Sequence, residues 1–186
     1  YEDHFNNLWI ALNNGMDYLK MSLPFSLLNE EVGVEGTGYA AHNFNKTIYL
    51  GTSNGVFAQN FAQESTTTPK YQFIQESEGQ VYNFSQIDNE LILNHHQGAF
   101  VIKDNGLDKF HSIGSWKFIK TTDPNIILGG DYQGIRYFKR LDGKWNRVNE
   151  IPSLTESSRI LEFENDSTLW MTHGYKGAYK VQLDNN

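Results

Sequence analysis

The stretch Ile48-Tyr49-Leu50-Gly51-Thr52-Ser53-Asn54-Gly55-Val56-Phe57 decides how this chain is read. An apolar run rich in β-branched and aromatic residues meets two small polar residues and a glycine, and a second apolar run follows. Such side chains suit a pleated, half-buried strand. Asn supplies turn chemistry, and the glycine supplies the positive φ of a tight hairpin. The stretch therefore predicts two antiparallel strands joined by a short turn.

The same hairpin recurs along the chain. Leu8-Trp9-Ile10-Ala11 leads to Gly15, Leu91-Ile92-Leu93-Asn94 to Gly98, Ile126-Ile127-Leu128-Gly129 to Gly134, and Leu169-Trp170-Met171-Thr172 to Gly177. The five glycines are spaced 40, 43, 36 and 43 residues apart. An apolar run follows each glycine. The large residues Trp9, Tyr49, Ile92, Ile127 and Trp170 stand six or seven positions ahead of it. This column predicts a packing position, which puts Trp9 and Trp170 in the core and leaves Trp116 and Trp145 outside it as blade packing or exposed platforms.

A further strand precedes four of the five hairpins, at Tyr39–Phe44, Tyr82–Ile87, Lys117–Thr122 and Ile160–Asn165, and each ends in Asn, Asp or Pro. A fourth strand is expected at Phe25–Leu28, Tyr71–Ile74, Lys109–Ile113 and Trp145–Val148. Four short antiparallel strands repeating about every forty residues are the signature of propeller blades. A β-sandwich, the alternative, does not require one motif at constant phase. The reading is an all-β chain, a β-propeller with four full four-stranded blades plus a partial one. Its units fall at about residues 1–36, 37–79, 80–114, 115–154 and 155–186.

The first unit lacks an opening strand and the last stops after its third, so the chain is expected to be an arc of a larger ring. An open arc bares apolar blade faces, which predicts self-association.

Composition narrows the function. The 186 residues are 39% hydrophobic and 14% aromatic, enough for one sizeable core. The net charge of −7 argues against direct nucleic-acid binding, which needs a basic face. With no cysteine, disulfides, thiolate metal sites and a Cys nucleophile are excluded. No run reaches the length of a membrane span, and the start at Tyr1 carries no signal-like region.

The turns before the glycines recur at one phase, so they should share one face of the propeller. The candidate ligand-binding residues there are His95, His96, Asp131, Tyr132, His173 and Tyr175. Their donors, acceptors and aromatic rings suit a sugar: polar groups for the hydroxyls, Tyr for the C–H face. The other reading is ordinary solvated turn residues. His95 and His96 are adjacent, and neighbours in an extended chain point to opposite faces, so a shared metal ion is not expected. No nucleophile elbow, phosphate-cradling glycine loop or zinc motif is present. No catalytic residue, metal or cofactor is expected. Glu30, Glu31, Glu76 and Glu78 read as solvated loop acids.

The segments Leu8–Tyr18, Ile48–Phe57 and Leu169–Tyr179 resemble the propeller repeat of two-component regulators, which runs Leu-Trp-Ile-Gly-Thr, two polar residues, Gly-Leu and an aromatic. The copies at 91–100 and 126–137 depart from it by replacing Trp with Ile. The resemblance implies the periplasmic sensor part of a membrane-bound regulator of the Bacteroidetes type, with a histidine-kinase or helix-turn-helix output. In relatives with a helix-turn-helix output, a three-tyrosine domain follows the propeller. It implies a ligand such as a glycan fragment, and contact with the membrane only through other parts of the parent protein. Two other readings stay open at this point: a propeller enzyme of the lyase or lactonase type acting on a saccharide, and a protein-docking scaffold.

Overall fold

The computed structural model describes residues 1–21, 26–61 and 70–183. The described residues form an open β-propeller of antiparallel sheets. A two-stranded hairpin comes first, β1 (Leu8–Leu12) and β2 (Gly15–Leu19). Blade 2 holds β3 (Gly38–Phe44), β4 (Thr47–Thr52), β5 (Val56–Asn60) and β6 (Gln72–Phe73). Blade 3 holds β7 (Val81–Ile87), β8 (Glu90–His95), β9 (Gly98–Lys103) and β10 (Gly106–His111). Blade 4 holds β11 (Ser115–Lys120), β12 (Ile126–Asp131), β13 (Gly134–Leu141) and β14 (Lys144–Glu150). Blade 5 holds β15 (Ile160–Asn165), β16 (Thr168–His173) and β17 (Gly177–Gln182).

Strands lie in sequence order within every sheet. The first strands of consecutive blades, β3, β7, β11 and β15, pack on one another. They are therefore the innermost strands, around the propeller axis. The all-β propeller reading holds. Of the described units, three are four-stranded, not four. In the first unit Phe25 lies outside the described residues, and Ser26–Leu28 form no strand.

Period-two alternation explains the core. In β8, Ile92 packs toward blade 4 with Phe118, Ile127, Phe138 and Trp145, while Leu91 and Leu93 pack toward blade 2 with Val56. In β12, Ile127 faces blade 3 and Leu128 faces blade 5, beside Ile135, Leu161, Leu169 and Met171. A run of three apolar residues thus serves two separate interfaces, because successive side chains leave a strand on opposite faces. Polar links join the same blades. The Phe118 amide donates to Ser85 Oγ (2.9 Å), and both Arg140 and the Trp145 indole donate to Glu90 (2.6 and 3.0 Å).

The register corrects the packing column. Counted from the turn, the residue equivalent to Ile92 in blade 4 is Leu128, not Ile127, and in blade 5 it is Trp170. Tyr49 and Ile92 each pack on the following blade, and so does Leu128. Trp170 occupies that position on the last described sheet and is 42% exposed. Trp9 is 40% exposed, on a hairpin whose residues all stay exposed. Trp170 has no described blade on that face, and the hairpin that carries Trp9 buries none of its residues. Trp145, outside the column, is buried at 3% exposure.

Candidate functional site

In blades 2 to 5 the hairpin turn begins with a side chain that accepts the amide two residues ahead. Thr52 Oγ1 accepts from Asn54 (3.1 Å) and His95 Nδ1 from Gln97 (3.2 Å). Asp131 Oδ1 accepts from Gln133 (2.7 Å) and His173 Nδ1 from Tyr175 (3.1 Å). Such side chains mimic a backbone turn and satisfy an amide that the turn leaves free. Three of the six residues singled out in the sequence, His95, Asp131 and His173, hold this one position of the repeat.

These residues do not gather into one constellation. His95 is buried, and its pKa is pushed down to about 4, chiefly by burial and then by its neighbour His96. The two imidazoles lie close, with centroids 4.3 Å apart, contrary to the expectation of opposite faces. The physical reason is that β8 ends at His95 and His96 already belongs to the turn. His96 Nδ1 accepts from the Gln80 amide (3.0 Å). Asp131 is also buried. Its Oδ2 is hydrogen-bonded to His111 Nε2 of blade 3 (2.9 Å), which links the two blades, and lies 3.3 Å from Arg136 Nε of its own blade. His173 lies beside Glu156 (3.7 Å), which Lys176 also holds (2.8 Å), and that ammonium keeps the Glu156 carboxyl below its ordinary range. Tyr175 is fully exposed at 99%.

Tyr132 has a different setting. The inner strands carry a register shift at the same place in blades 2, 3 and 4: between Gly38 and Ala40, Val81 and Asn83, and Ser115 and Lys117. The extra residue is aromatic each time: Tyr39, Tyr82 and Trp116. A bulge inserts one residue and re-aims its side chain. Tyr82 and Trp116 stack with centroids 4.1 Å apart, and Tyr132 joins them at 6.2 and 5.4 Å. The Tyr82 and Tyr132 hydroxyls are hydrogen-bonded to each other. Burial, then this bond, pushes the Tyr132 phenol above its ordinary range, so it stays a neutral donor and acceptor.

The connection into blade 5 completes the cluster. The Trp116 indole donates to Ser157 Oγ (2.9 Å), and the Arg159 guanidinium lies over the Trp116 ring at 5.0 Å. Bulged first strands, second-to-third turns and blade-to-blade connections all lie at the same end of the strands, so this is the mouth of the propeller axis. Close approach depends on Gly114, where a Cβ would sit 2.4 Å from the Tyr132 ring and 2.6 Å from the His96 carbonyl oxygen. The sequence offered one signal for this site. The strands expected at Tyr39 and Tyr82 begin on these aromatics, but the one in blade 4 was expected to begin at Lys117 instead of Trp116, because the turn between β11 and β12 is two residues longer than its counterparts and the packing column there falls on Leu128 instead of Ile127.

A larger cleft of about 830 Å³ opens between blades 4 and 5, lined by Leu128, Tyr137, Val148, Phe163 and Leu183 among others. Three of its charged residues are engaged in ion pairs: Lys120 with Asp88, Glu150 with Arg136, and Glu164 with Lys180. Among the described residues, blade 5 has no fourth strand against β17.

No family model and no curated protein sequence matches the chain. Solved structures do. The extracellular domain of a protein assigned as a hybrid two-component system from B. thetaiotaomicron superposes with a TM-score of 0.70 at 14% identity. The match covers 98% of this chain and 26% of that one. The extracellular domain of a protein assigned as a one-component system from the same organism gives 0.69 at 11% identity, covering 98% and 29%. The WD40 propeller domain of Doa1 gives 0.51 at 15% identity, covering 77% and 50%. These likenesses show the propeller fold. The chain spans between a quarter and a third of the length of the first two structures. Among the described residues, no helix is long and apolar enough to cross a membrane.

Proposed function

We propose that this chain is a non-catalytic, ligand-binding segment of a sensor propeller. It works outside the cytoplasm, in the periplasm, as part of a signal-transducing transcription regulator of the two-component type. The observation that carries the reading is the aromatic cluster at the axis mouth, Tyr82, Trp116 and Tyr132, with Ser157 and Arg159 at its edge. Flat rings beside hydroxyls and a guanidinium form a surface for a polyhydroxylated ring, so the ligand class is a glycan fragment. Phenol, indole, hydroxyl and guanidinium groups bind and orient, and none of them is a general base at neutral pH. The extracellular domains of proteins assigned as hybrid two-component and one-component systems, which share the fold over nearly the whole chain, support the same reading. Binding at the mouth draws Tyr82 of blade 3, Trp116 of blade 4 and the blade 5 connection against one ligand. That gives a way to bias the angle between blades.

A thermal-shift screen against an oligosaccharide panel tests this, with product analysis of every hit. A ligand that binds only the folded state raises the midpoint as its concentration exceeds its Kd. A saturable shift lost in Trp116→Ala, with the sugar recovered intact, supports sensing. A cleaved sugar establishes the lyase or lactonase alternative, and no shift with any sugar favours a protein-docking scaffold.

A further inference from the structure

Arg159 stands out among the arginines of the described residues. Arg136, Arg140 and Arg147 each have a carboxylate within ion-pair distance. No described carboxylate lies within that distance of Arg159. Its guanidinium rests over Trp116 and reaches toward Gly174 of the next turn, where a Cβ would sit 3.9 Å from it. Its backbone is tied by its amide to Thr172. Stacking on an aromatic face holds the planar group while leaving its edge N–H donors free. The acids nearest in sequence, Glu156 and Glu162, are paired with Lys176 and Lys117. The mouth thus presents an oriented, uncompensated cation beside an aromatic surface, on a chain whose net charge is −7.

We propose that the mouth selects acidic sugars. The Arg159 guanidinium would hold the carboxylate of a uronate through a forked pair of charge-assisted hydrogen bonds, while the aromatic cluster receives the sugar ring. This inference rests on the ligand-binding reading above and adds the charge of the ligand. The geometry suits a carboxylate attached to a ring, since the cation lies at the edge of the cluster and not at its centre. Bare anions would gain the contact with Arg159 but not the aromatic surface.

The test uses the 186-residue chain and two probes that differ only in the carboxylate, methyl β-D-glucuronide and methyl β-D-glucoside. The reporter is the Trp116 indole N–H resonance, assigned by its loss in Trp116→Phe. The glucuronide is expected to move this resonance saturably and to bind about tenfold more tightly than the glucoside, the scale of one charge-assisted forked contact. Arg159→Gln should abolish the preference, so that the variant binds the glucuronide no more tightly than it binds the glucoside.

Equal binding of both probes by the unaltered chain overturns the acidic preference and leaves sugar binding standing. A preference that survives in Arg159→Gln places the carboxylate elsewhere and overturns the assignment. A response to sodium acetate as strong as that to the glucuronide reduces the site to a bare anion site and also overturns it. If neither probe moves the resonance, the acidic inference falls. The oligosaccharide panel then decides separately whether the ligand-binding reading falls with it.

Discussion

Trp116 and Tyr82 stack at 4.1 Å with 32° between their rings, and each is the extra residue of a bulge in the innermost strand of its blade. Two blades thus place an aromatic at the axis by the same local departure from regular pairing. The cluster they form with Tyr132 spans the joint between blades 3 and 4. Removing one member should therefore affect both the site and the coupling of the blades.

Trp116→Phe keeps an aromatic ring at the bulge and removes the indole donor to Ser157. A net loss of about 1 kcal/mol in unfolding free energy is expected, the scale of one hydrogen bond. Trp116→Ala removes the ring contacts as well and should cost more, by about 0.5–1.5 kcal/mol for each aromatic pair lost. Urea unfolding of the two variants, read side by side, checks the order.

Phe138 and Trp170 reverse the ranking expected from the repeat. Phe138 is fully buried between blades 3 and 4, so Phe138→Ala should cost about 3–5 kcal/mol. Trp170 is half exposed, with Lys180 over its ring and its indole bonded to Glu164 (2.6 Å). Trp170→Ala should lower stability by about 1 kcal/mol or less, as surface contacts do. Equal losses in the two variants would mean that Trp170 is packed in solution, against a second copy or another segment.

The hairpin glycines differ from ordinary loop glycines in a testable way. Gly98 has φ +137°, and a Cβ there would sit 2.0 Å from the His111 carbonyl oxygen. Gly98→Ala should destabilise by about 2–3 kcal/mol or more, because both the backbone conformation and the space oppose it. Gly174 has no such φ, and its nearest neighbour to a Cβ is 3.9 Å away. Gly174→Ala should be neutral within about 0.5 kcal/mol. Thermal unfolding of the pair separates the two cases.

His95 gives the fold a pH dependence whose sign follows from burial. Its pKa in the fold is about 4, below the ordinary 6.5, so the folded state holds the neutral ring while the unfolded chain takes up a proton first. Its contribution is fully present above pH 6.5. It is lost as the pH falls from there toward 4, amounting to roughly 3 kcal/mol. His95→Gln should flatten the stability profile across that interval. An unchanged slope between the two proteins would show that other groups set the acid sensitivity.

Much of the architecture can be read directly from the chain. The constant phase of Gly15, Gly55, Gly98, Gly134 and Gly177 marks five hairpins, and turn residues such as Asn45 and Asp88, both at positive φ, mark strand ends. These signals are local, since turn chemistry and two-residue periodicity act over a few neighbouring positions. The roles of the turn residues were harder to read. A histidine, an aspartate and a threonine look chemically unrelated, yet Thr52, His95, Asp131 and His173 all cap the same turn. That equivalence appears only once the strand register is fixed.

The sequence by itself determined that this protein is a run of antiparallel hairpins in propeller form, because glycine positions, turn residues and apolar runs repeat within each unit. Tertiary structure alone decided which face of each strand is covered. Leu128 is buried and Trp170 exposed at the same repeat position, because a blade follows one and no described blade follows the other. It alone also assembled Tyr82, Trp116, Tyr132 and Arg159, residues up to 77 positions apart. A bulge shifts side-chain direction by one residue without changing composition, and convergence on an axis depends on how whole blades pack.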